Sequence, residues 1–168
     1  MQRNLYKPSY EITPLTLAII SHKGKKNITT VLEKEAEYTI HQSPSKVIDD
    51  ACKFFGASLK GRQEGTRNVC GITHKAPISI DPLSGMYFFP TYSPTNPNCS
   101  WLAHTHINDL QQAAGKLTEI IFKNGKRIMI EASYGSLLNQ VNRTAQFRYL
   151  LDDRIKFLQQ FRKDPDSE

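Results

Sequence analysis

The chain has 168 residues, with 22 Lys+Arg against 16 Asp+Glu and a formal charge of +6. This length favours one domain with its own core. A wholly disordered chain is excluded by the aromatic content of 8 Phe, 7 Tyr and 1 Trp, and a collagen-like chain is excluded because there are only 9 Gly and 9 Pro. The positive charge permits a polyanionic partner without establishing one, so its distribution along the chain matters.

The N-terminal part of the chain predicts a β-hairpin and a third strand. Residues 15–21 and 28–32 are short, apolar and rich in β-branched side chains, and a polar turn that contains Gly24 separates them. The third strand is expected around residues 38–40.

A helix is predicted over residues 44–55. Ser43 can accept hydrogen bonds from the amides of the first turn, and Pro44 at the first helical position loses no donor that the helix needs. Apolar residues follow at helical spacing, and Gly56 is placed to end the helix.

The segment after this helix, residues 57–69, is predicted to be a Gly-containing basic loop. Mostly β-structure is expected beyond it. The predicted strands are 70–73, 78–80, 86–89 and 101–107, with a loop at 91–98 and a hairpin of 118–123 and 127–130 around Asn124-Gly125.

The C-terminal part predicts one long amphipathic helix near residues 136–161, because it lacks Gly and Pro and its apolar residues recur at helical intervals. Together with the short helix near 44–55, these elements predict an α+β fold of mostly antiparallel strands. We expect a single domain over residues 1–161 and a disordered acidic tail over 162–168.

The cellular location is predicted from what the sequence lacks. No secretory signal and no run of ~18 apolar residues is recognised. Three cysteines, Cys52, Cys70 and Cys99, cannot all pair within one chain, which favours free thiols in a reducing compartment. We therefore expect a soluble cytoplasmic protein.

The positive charge is concentrated in one stretch. Between Lys53 and Lys75 five basic residues stand against the single Glu64, a local excess of +4. Gly61 and Gly65 would let the backbone approach a ligand closely, and arginine can bind phosphate or enter a narrow groove. Two interpretations stay open: a loop that contacts nucleic acid, and a loop that is only solvated.

Metal binding and catalysis have weaker signals. His104 and His106 would share one face of a strand, and Cys99 and His74 could join them as zinc ligands. However, no established zinc-ligand spacing accompanies them, and such histidines more often donate to carbonyls. Nucleophile elbows and phosphate-binding loops are absent from the sequence. We expect no metal, no other cofactor and no enzymatic activity, with the zinc module or enzyme as the alternative.

Aromatic residues near the basic stretch leave a third interpretation open, which is base stacking in single-stranded nucleic acid. Aromatic residues on alternating strands more often form the core, so this reading is secondary. The residues are Phe54, Phe55, Tyr87, Phe88, Phe89, Tyr92 and Trp101.

Several strings, taken in order along the chain, are typical of one family. They are ACKFFGAS (51–58) with Gly61-Arg62 and Gly65-Thr66, THKAPI (73–78) with Asp81-Pro82, FFPT (88–91), CSW (99–101) with HTH (104–106), FKNGK (122–126) and NQVNRTA (139–145). Through them the chain resembles the ComK family of competence transcription factors, over residues 10–155.

The resemblance implies a DNA-binding activator of competence genes. Such a protein recognises paired AT-rich boxes, engages the minor groove and assembles as a homodimer or tetramer on DNA, with RNA polymerase as a further partner and the nucleoid as its place in the cell. Because A-tracts have a narrow, strongly negative minor groove, we predict that arginines insert there while lysines contact the phosphates. The predicted inserting residues are Arg62 and Arg67; the predicted backbone contacts are Lys53, Lys60 and Lys75; Arg143 of the long helix completes the set.

The chain differs from better-known members of this family at its end. Those members continue into a basic, aromatic-containing tail that binds an adaptor for regulated proteolysis, whereas this sequence ends at Glu168 after an acidic run. The difference argues against adaptor-mediated turnover. It leaves open a truncated paralogue that binds DNA without activating transcription.

Overall fold

The computed structural model describes residues 3–163, which form two β-sheets and three α-helices. The predicted α+β class is confirmed. The strands are β1 (Arg3–Lys7), β2 (Thr16–His22), β3 (Lys25–Glu33), β4 (Ala36–Ile40), β5 (Ile78–Asp81), β6 (Met86–Pro90), β7 (Trp101–Ala103), β8 (Ile107–Gln112), β9 (Leu117–Phe122) and β10 (Arg127–Glu131), and the helices are α1 (Pro44–Phe54), α2 (Leu59–Cys70) and α3 (Tyr134–Lys163).

The larger sheet has seven strands in the order β1-β4-β3-β2-β7-β6-β5, and the smaller one has the order β10-β9-β8. Neighbouring strands pair antiparallel except β1, which lies parallel to β4. The predicted hairpins and the strands around residues 38–40, 78–80 and 86–89 are confirmed. Strands β1 and β8 were not predicted from the sequence.

Both faces of the larger sheet are covered, so neighbouring residues on one strand point into different cores. Phe88 packs toward α1, in a core that also holds Ile48 and Trp101. Phe89 points the other way, toward the smaller sheet and the start of α3, where Phe122 and Leu137 are buried. This double coverage explains why β6 is buried at every position instead of alternating with polar residues.

Helix α1 forms as its sequence predicts. The hydroxyl of Ser43 accepts from the amide of Lys46 at 3.2 Å, and Pro44 occupies the first turn. Gly56 follows the helix with φ of +79°, a left-handed conformation that glycine adopts without strain.

The predicted loop over 57–69 is wrong, because these residues form most of α2. Ser58 caps the helix by accepting from the amide of Gly61 at 3.0 Å, and Asp49 of α1 accepts from the amide of Leu59 at 2.9 Å. Buried Thr66 donates to the carbonyl of Pro77 at 2.6 Å. These contacts to other segments stabilise a helix whose two internal glycines disfavour it.

Two further predictions near the site are wrong. Cys70 ends α2, and the following residues to Thr73 form no strand. The predicted strand over 101–107 ends at Ala103, where a 3₁₀ turn of His104–His106 leads into β8 in the second sheet. The chain has to leave one sheet for the other at this turn, which a continuous strand would not allow.

Helix α3 is slightly longer than the predicted 136–161. Its first half is buried against both sheets through Leu137, Thr144 and Phe147, whereas every residue from Lys156 to Arg162 is exposed. Most of the predicted acidic tail, residues 164–168, lies outside the described residues. Within residues 3–163 no helix combines the length and hydrophobicity needed to cross a bilayer.

Candidate nucleic-acid interface

The outward face of α2 presents two of the predicted basic residues. Lys60 and Arg67 are exposed and lie seven positions apart, about 20° from each other around the helix axis. Glu64 is exposed between them on this face, about 40° from Lys60 and about 60° from Arg67. Gly61 and Gly65 are exposed farther around the helix, about 100° or more from both cations, and a Cβ added at Gly65 would meet nothing within 4 Å. The outward face of α2 therefore has a long cationic side chain at each end and a carboxylate between them.

Arg62 does not lie on this face. Five residues separate it from Arg67, which on a helix places the two side chains about 140° apart. The guanidinium of Arg62 donates to the carbonyl of Ile80 in β5 at 3.2 Å, and its Nε is buried without a hydrogen-bond partner. Arg62 therefore holds α2 against β5 at the sheet edge, and its guanidinium already has a hydrogen-bond partner within the protein.

Lys53 is exposed near the end of α1 but is compensated by a neighbouring carboxylate. Its Nζ lies 2.9 Å from Oδ2 of Asp49. The same carboxylate accepts from the amide of Leu59, and this hydrogen bond together with Lys53 lowers the pKa of Asp49. Lys53 therefore attracts an anionic ligand less strongly than an unpaired lysine would.

Lys75 and Arg143 lie at the junction between the α2–β5 connection and α3. Lys75 has φ of 47°, and its Nζ donates to the hydroxyl of Ser136 at 3.3 Å. Arg143 donates to the side-chain oxygen of Gln140 at 2.7 Å and to the carbonyl of His74 at 2.6 Å. Partial burial lowers the pKa of Arg143, and both residues hold the connection against α3.

Arg154 was not predicted from the sequence as a site residue. It is exposed on α3 and donates to the side-chain oxygen of Asn68 in α2 at 3.1 Å. Eleven residues separate it from Arg143, which is three helical turns, so both arginines lie on the same side of α3. The spacing of Arg143 and Arg154 was the feature of the sequence that could have indicated that they share a face. We call Lys60, Arg67, Lys75, Arg143 and Arg154 the cationic face.

The five residues of the cationic face form no ion pairs within residues 3–163. In the part of the chain that the structure describes, none of the five residues lies within 4.0 Å of a carboxylate oxygen, whereas Lys46, Lys53 and Arg127 elsewhere do. The face combines three segments that are distant in sequence, namely α2, the α2–β5 connection and α3. Such an unpaired group of cations attracts polyanions.

The residues proposed for zinc do not converge. Nε2 of His104 donates to the carbonyl of Val141 at 3.0 Å, and its Nδ1 accepts from Arg148. His106 contacts the carbonyl of Pro14 instead, and Cys99 is buried in the core. Across residues 3–163 no three His, Cys, Asp or Glu side chains are grouped as metal ligands would be. Burial, with the positive charge of Arg148, lowers the pKa of His104 to about 4.

The aromatic residues proposed for base stacking are mostly in the core. Tyr87, Phe88, Phe89 and Trp101 are each at most 1% exposed, so none can stack on a base. Tyr92 is half-buried and donates to a backbone carbonyl. Phe54 and Phe55 are exposed at the end of α1.

Comparisons with known proteins agree with the resemblance seen in the sequence. A family model described as "ComK protein" matches residues 7–156. The chain is 38% identical over 148 residues to the protein named "Competence transcription factor" of Bacillus subtilis (strain 168), an alignment that covers 88% of this chain and 77% of that protein. No solved structure matches the chain.

Proposed function

This chain belongs to the ComK family of competence transcription regulators, and we propose that it carries out this regulation by binding AT-rich duplex DNA through the cationic face. The observation that carries the proposal is the convergence of five cationic side chains, unpaired by carboxylates, from α2, the α2–β5 connection and α3. Contacts of Lys and Arg with phosphates supply most of the affinity of such surfaces.

Arg67 is the residue that we assign to the minor groove. It is exposed in the C-terminal half of α2, on the outward face that it shares with Lys60. A-tracts attract inserted arginines because their narrow minor groove enhances the negative potential. Arg62, which the sequence placed beside Arg67 in this role, is held by the carbonyl of Ile80 and becomes a positioning residue.

A four-residue turn joins α1 to α2, as in helix–turn–helix proteins, but the surface of α2 argues against reading bases in the major groove. Recognition helices contact base edges with residues near their N-terminus. Here the exposed positions of the first turn of α2 are Lys60 and Gly61, which offer one cation and no paired donor and acceptor. We therefore assign Lys60 to the phosphate backbone.

The complete regulator, on this proposal, is a homodimer or tetramer on paired AT-rich boxes at the nucleoid, where it meets RNA polymerase. Lys75 and Arg143 contact the phosphates next to those that Arg154 contacts. Their hydrogen bonds to Ser136 and to the carbonyl of His74 hold them at the edge of the face. The zinc alternative has no supporting geometry, because no group of three possible metal ligands occurs among the described residues.

The test is a binding titration of the full chain against AT-rich and GC-rich duplexes at several salt concentrations. Four phosphate contacts, from Lys60, Lys75, Arg143 and Arg154, predict a slope of about −3.6 for log K against log salt. The substitution Arg67→Ala is expected to weaken binding to the AT-rich duplex about tenfold and to reduce the discrimination against GC. A small ligand that fills the AT minor groove should displace the protein.

The matched control is Arg127→Ala, which removes an exposed arginine outside the cationic face that is already paired with Glu119 at 2.9 Å. This variant should bind DNA like the unmodified chain. Equal affinity for both duplexes, or equal losses for the two variants, would overturn the assignment of the face.

A further inference from the structure

The last turns of α3 project from the body of the protein with apolar side chains uncovered. All residues from 156 to 162 are exposed, which at 1.5 Å per residue is about 10 Å of helix without a partner. Phe157, Leu158 and Phe161 are 59%, 65% and 66% exposed, and the two phenylalanine rings contact each other at 5.2 Å. Lys156 and Arg162 flank them. We call residues 156–162 the α3 tip.

A second apolar feature lies elsewhere on the molecule, between α1, the segment before β2 and the β5–β6 turn. It is a groove of about 520 Å³. Its apolar lining includes Tyr10, Ile12 and Met86 from the core, and Phe54, which is 71% exposed, lies at its rim with Phe55. A groove of this size can hold two or three large side chains.

The charges around the groove are opposite to those of the tip. Its lining contains three carboxylates, Glu11, Asp50 and Asp81, and no basic residue. Lys46 pairs with Asp50 at 2.6 Å, so two of the three carboxylates keep an unpaired negative charge. An acidic apolar groove is unexpected in a chain with a formal charge of +6, and it complements a basic apolar helix end.

The α3 tip cannot enter the groove of its own chain. Met86 and Tyr87 are neighbours on β6 and so point to opposite faces of the sheet. Met86 lines the groove, whereas the hydroxyl of Tyr87 donates to Asp152 of α3 at 3.0 Å. Helix α3 therefore runs along the face away from the groove, and it continues unbroken to Lys163.

We propose that the α3 tip of one copy binds in the acidic groove of a second copy, and that two copies exchange tips reciprocally to form a dimer. Phe157, Leu158 and Phe161 enter the groove, and Lys156 and Arg162 face its carboxylates. Burying three such side chains removes on the order of 400–500 Å² on each side of one contact. Two reciprocal contacts then reach the range of about 1,200–2,000 Å² that specific complexes bury.

This inference rests on the homo-oligomer of the proposed function, and its test is made without DNA so that the two can fail separately. The full chain is studied by sedimentation at a series of concentrations. It should form dimers, and Phe161→Ser should raise the dissociation constant about tenfold or more. Circular dichroism and thermal unfolding check that each variant keeps the fold.

A charge exchange gives the decisive comparison. One variant carries Lys156→Glu and Arg162→Glu, so that its tip and its groove are both acidic. The other carries Glu11→Lys and Asp50→Lys, so that both are basic. Each variant alone should be monomeric, and an equimolar mixture should form heterodimers, because both reciprocal contacts are then complementary.

Two further variants control for general charge effects. Lys116→Glu with Lys123→Glu makes the same charge change on exposed residues of the two turns that flank β9, and it should leave association unchanged. Replacing Asp164, Asp166 and Glu168 by their amides removes negative charge next to the tip in sequence, and it should tighten the dimer. A monomeric unmodified chain, or charge-exchange variants that associate alone or fail to associate when mixed, would overturn the proposal.

Discussion

The guanidinium of Arg62 in α2 donates to the carbonyl oxygen of Ile80 in β5 at 3.2 Å. This contact turns one of two neighbouring arginines inward, while Arg67, five residues later, remains exposed. The pair therefore has two separate roles, in which Arg62 holds the helix and Arg67 is available to a ligand.

We expect Arg62→Ala to lower stability and Arg67→Ala to leave it unchanged. Removing Arg62 deletes the hydrogen bond to Ile80 and the packing of the aliphatic stem, which should lower the free energy of unfolding by about 1–2 kcal/mol. Arg67 is exposed, so its removal should change that value by less than about 0.5 kcal/mol. Urea denaturation measures both. A stable Arg62→Ala variant with reduced DNA affinity would place this guanidinium on the DNA.

Two lysines near the site should differ in their effect on DNA binding. Lys60 is unpaired among the described residues, and its replacement by Ala should reduce the salt slope of binding by about 1. Lys53 already neutralises Asp49 at 2.9 Å, so Lys53→Ala should change the slope little. Titrations of both variants at several salt concentrations make the comparison. Equal reductions in slope would show that DNA displaces Lys53 from Asp49.

The glycines of α2 should respond differently to alanine. Gly65 has helical backbone angles and open space around it, so Gly65→Ala should raise the free energy of unfolding by about 0.5–1 kcal/mol. At Gly61 the new Cβ would lie 3.2 Å from the hydroxyl of Ser58, which caps the helix, so its gain should be smaller. Thermal or urea unfolding measures whether Gly65→Ala gains more stability than Gly61→Ala. A Gly65→Ala variant that is less stable than the unmodified chain would contradict the prediction.

The stability of the fold should decrease below neutral pH because of His104. Its pKa is lowered to about 4 in the folded protein, from an ordinary value near 6.5, because the ring is buried beside Arg148. The unfolded chain therefore binds the extra proton first, and the free energy of unfolding should fall by about 2 kcal/mol between pH 7 and pH 5.

The control for this pH dependence is His104→Gln, which cannot titrate and whose amide can still donate to Val141. Its unfolding free energy should change much less over the same interval. Urea denaturation at pH 5, 6 and 7 gives the comparison. A parallel decrease in both proteins would assign the pH dependence to other groups.

Local signals predicted part of this structure well. Helix α1 begins at Ser43-Pro44, and the hairpin of β9 and β10 turns at Asn124-Gly125, as the sequence indicated. Each of these features depends on residues within a few positions of it. The 3₁₀ turn of His104–His106 was not predictable in this way, because the chain changes sheets there and no nearby residue requires the change.

The candidate site also combines features that the sequence predicts with features that only tertiary contacts determine. The local excess of +4 between Lys53 and Lys75, and the similarity to the ComK family, are properties of the sequence alone. The secondary structure of residues 59–70 was decided by tertiary contacts, because Asp49 and Pro77 supply partners that a peptide with Gly61 and Gly65 lacks. Once the segment is a helix, its geometry separates Arg62 from Arg67.

The sequence by itself determined the class of fold, the family and the concentration of positive charge, since each depends on composition and local order. Only the tertiary structure decided which basic side chains are available to a ligand, because this availability depends on neighbours that are distant in sequence. Arg62 is bound by Ile80 and Lys53 is paired with Asp49, whereas Arg154 joins α2 through Asn68. Packing of α3 against α2 thus assembles a surface that no single segment of the chain contains.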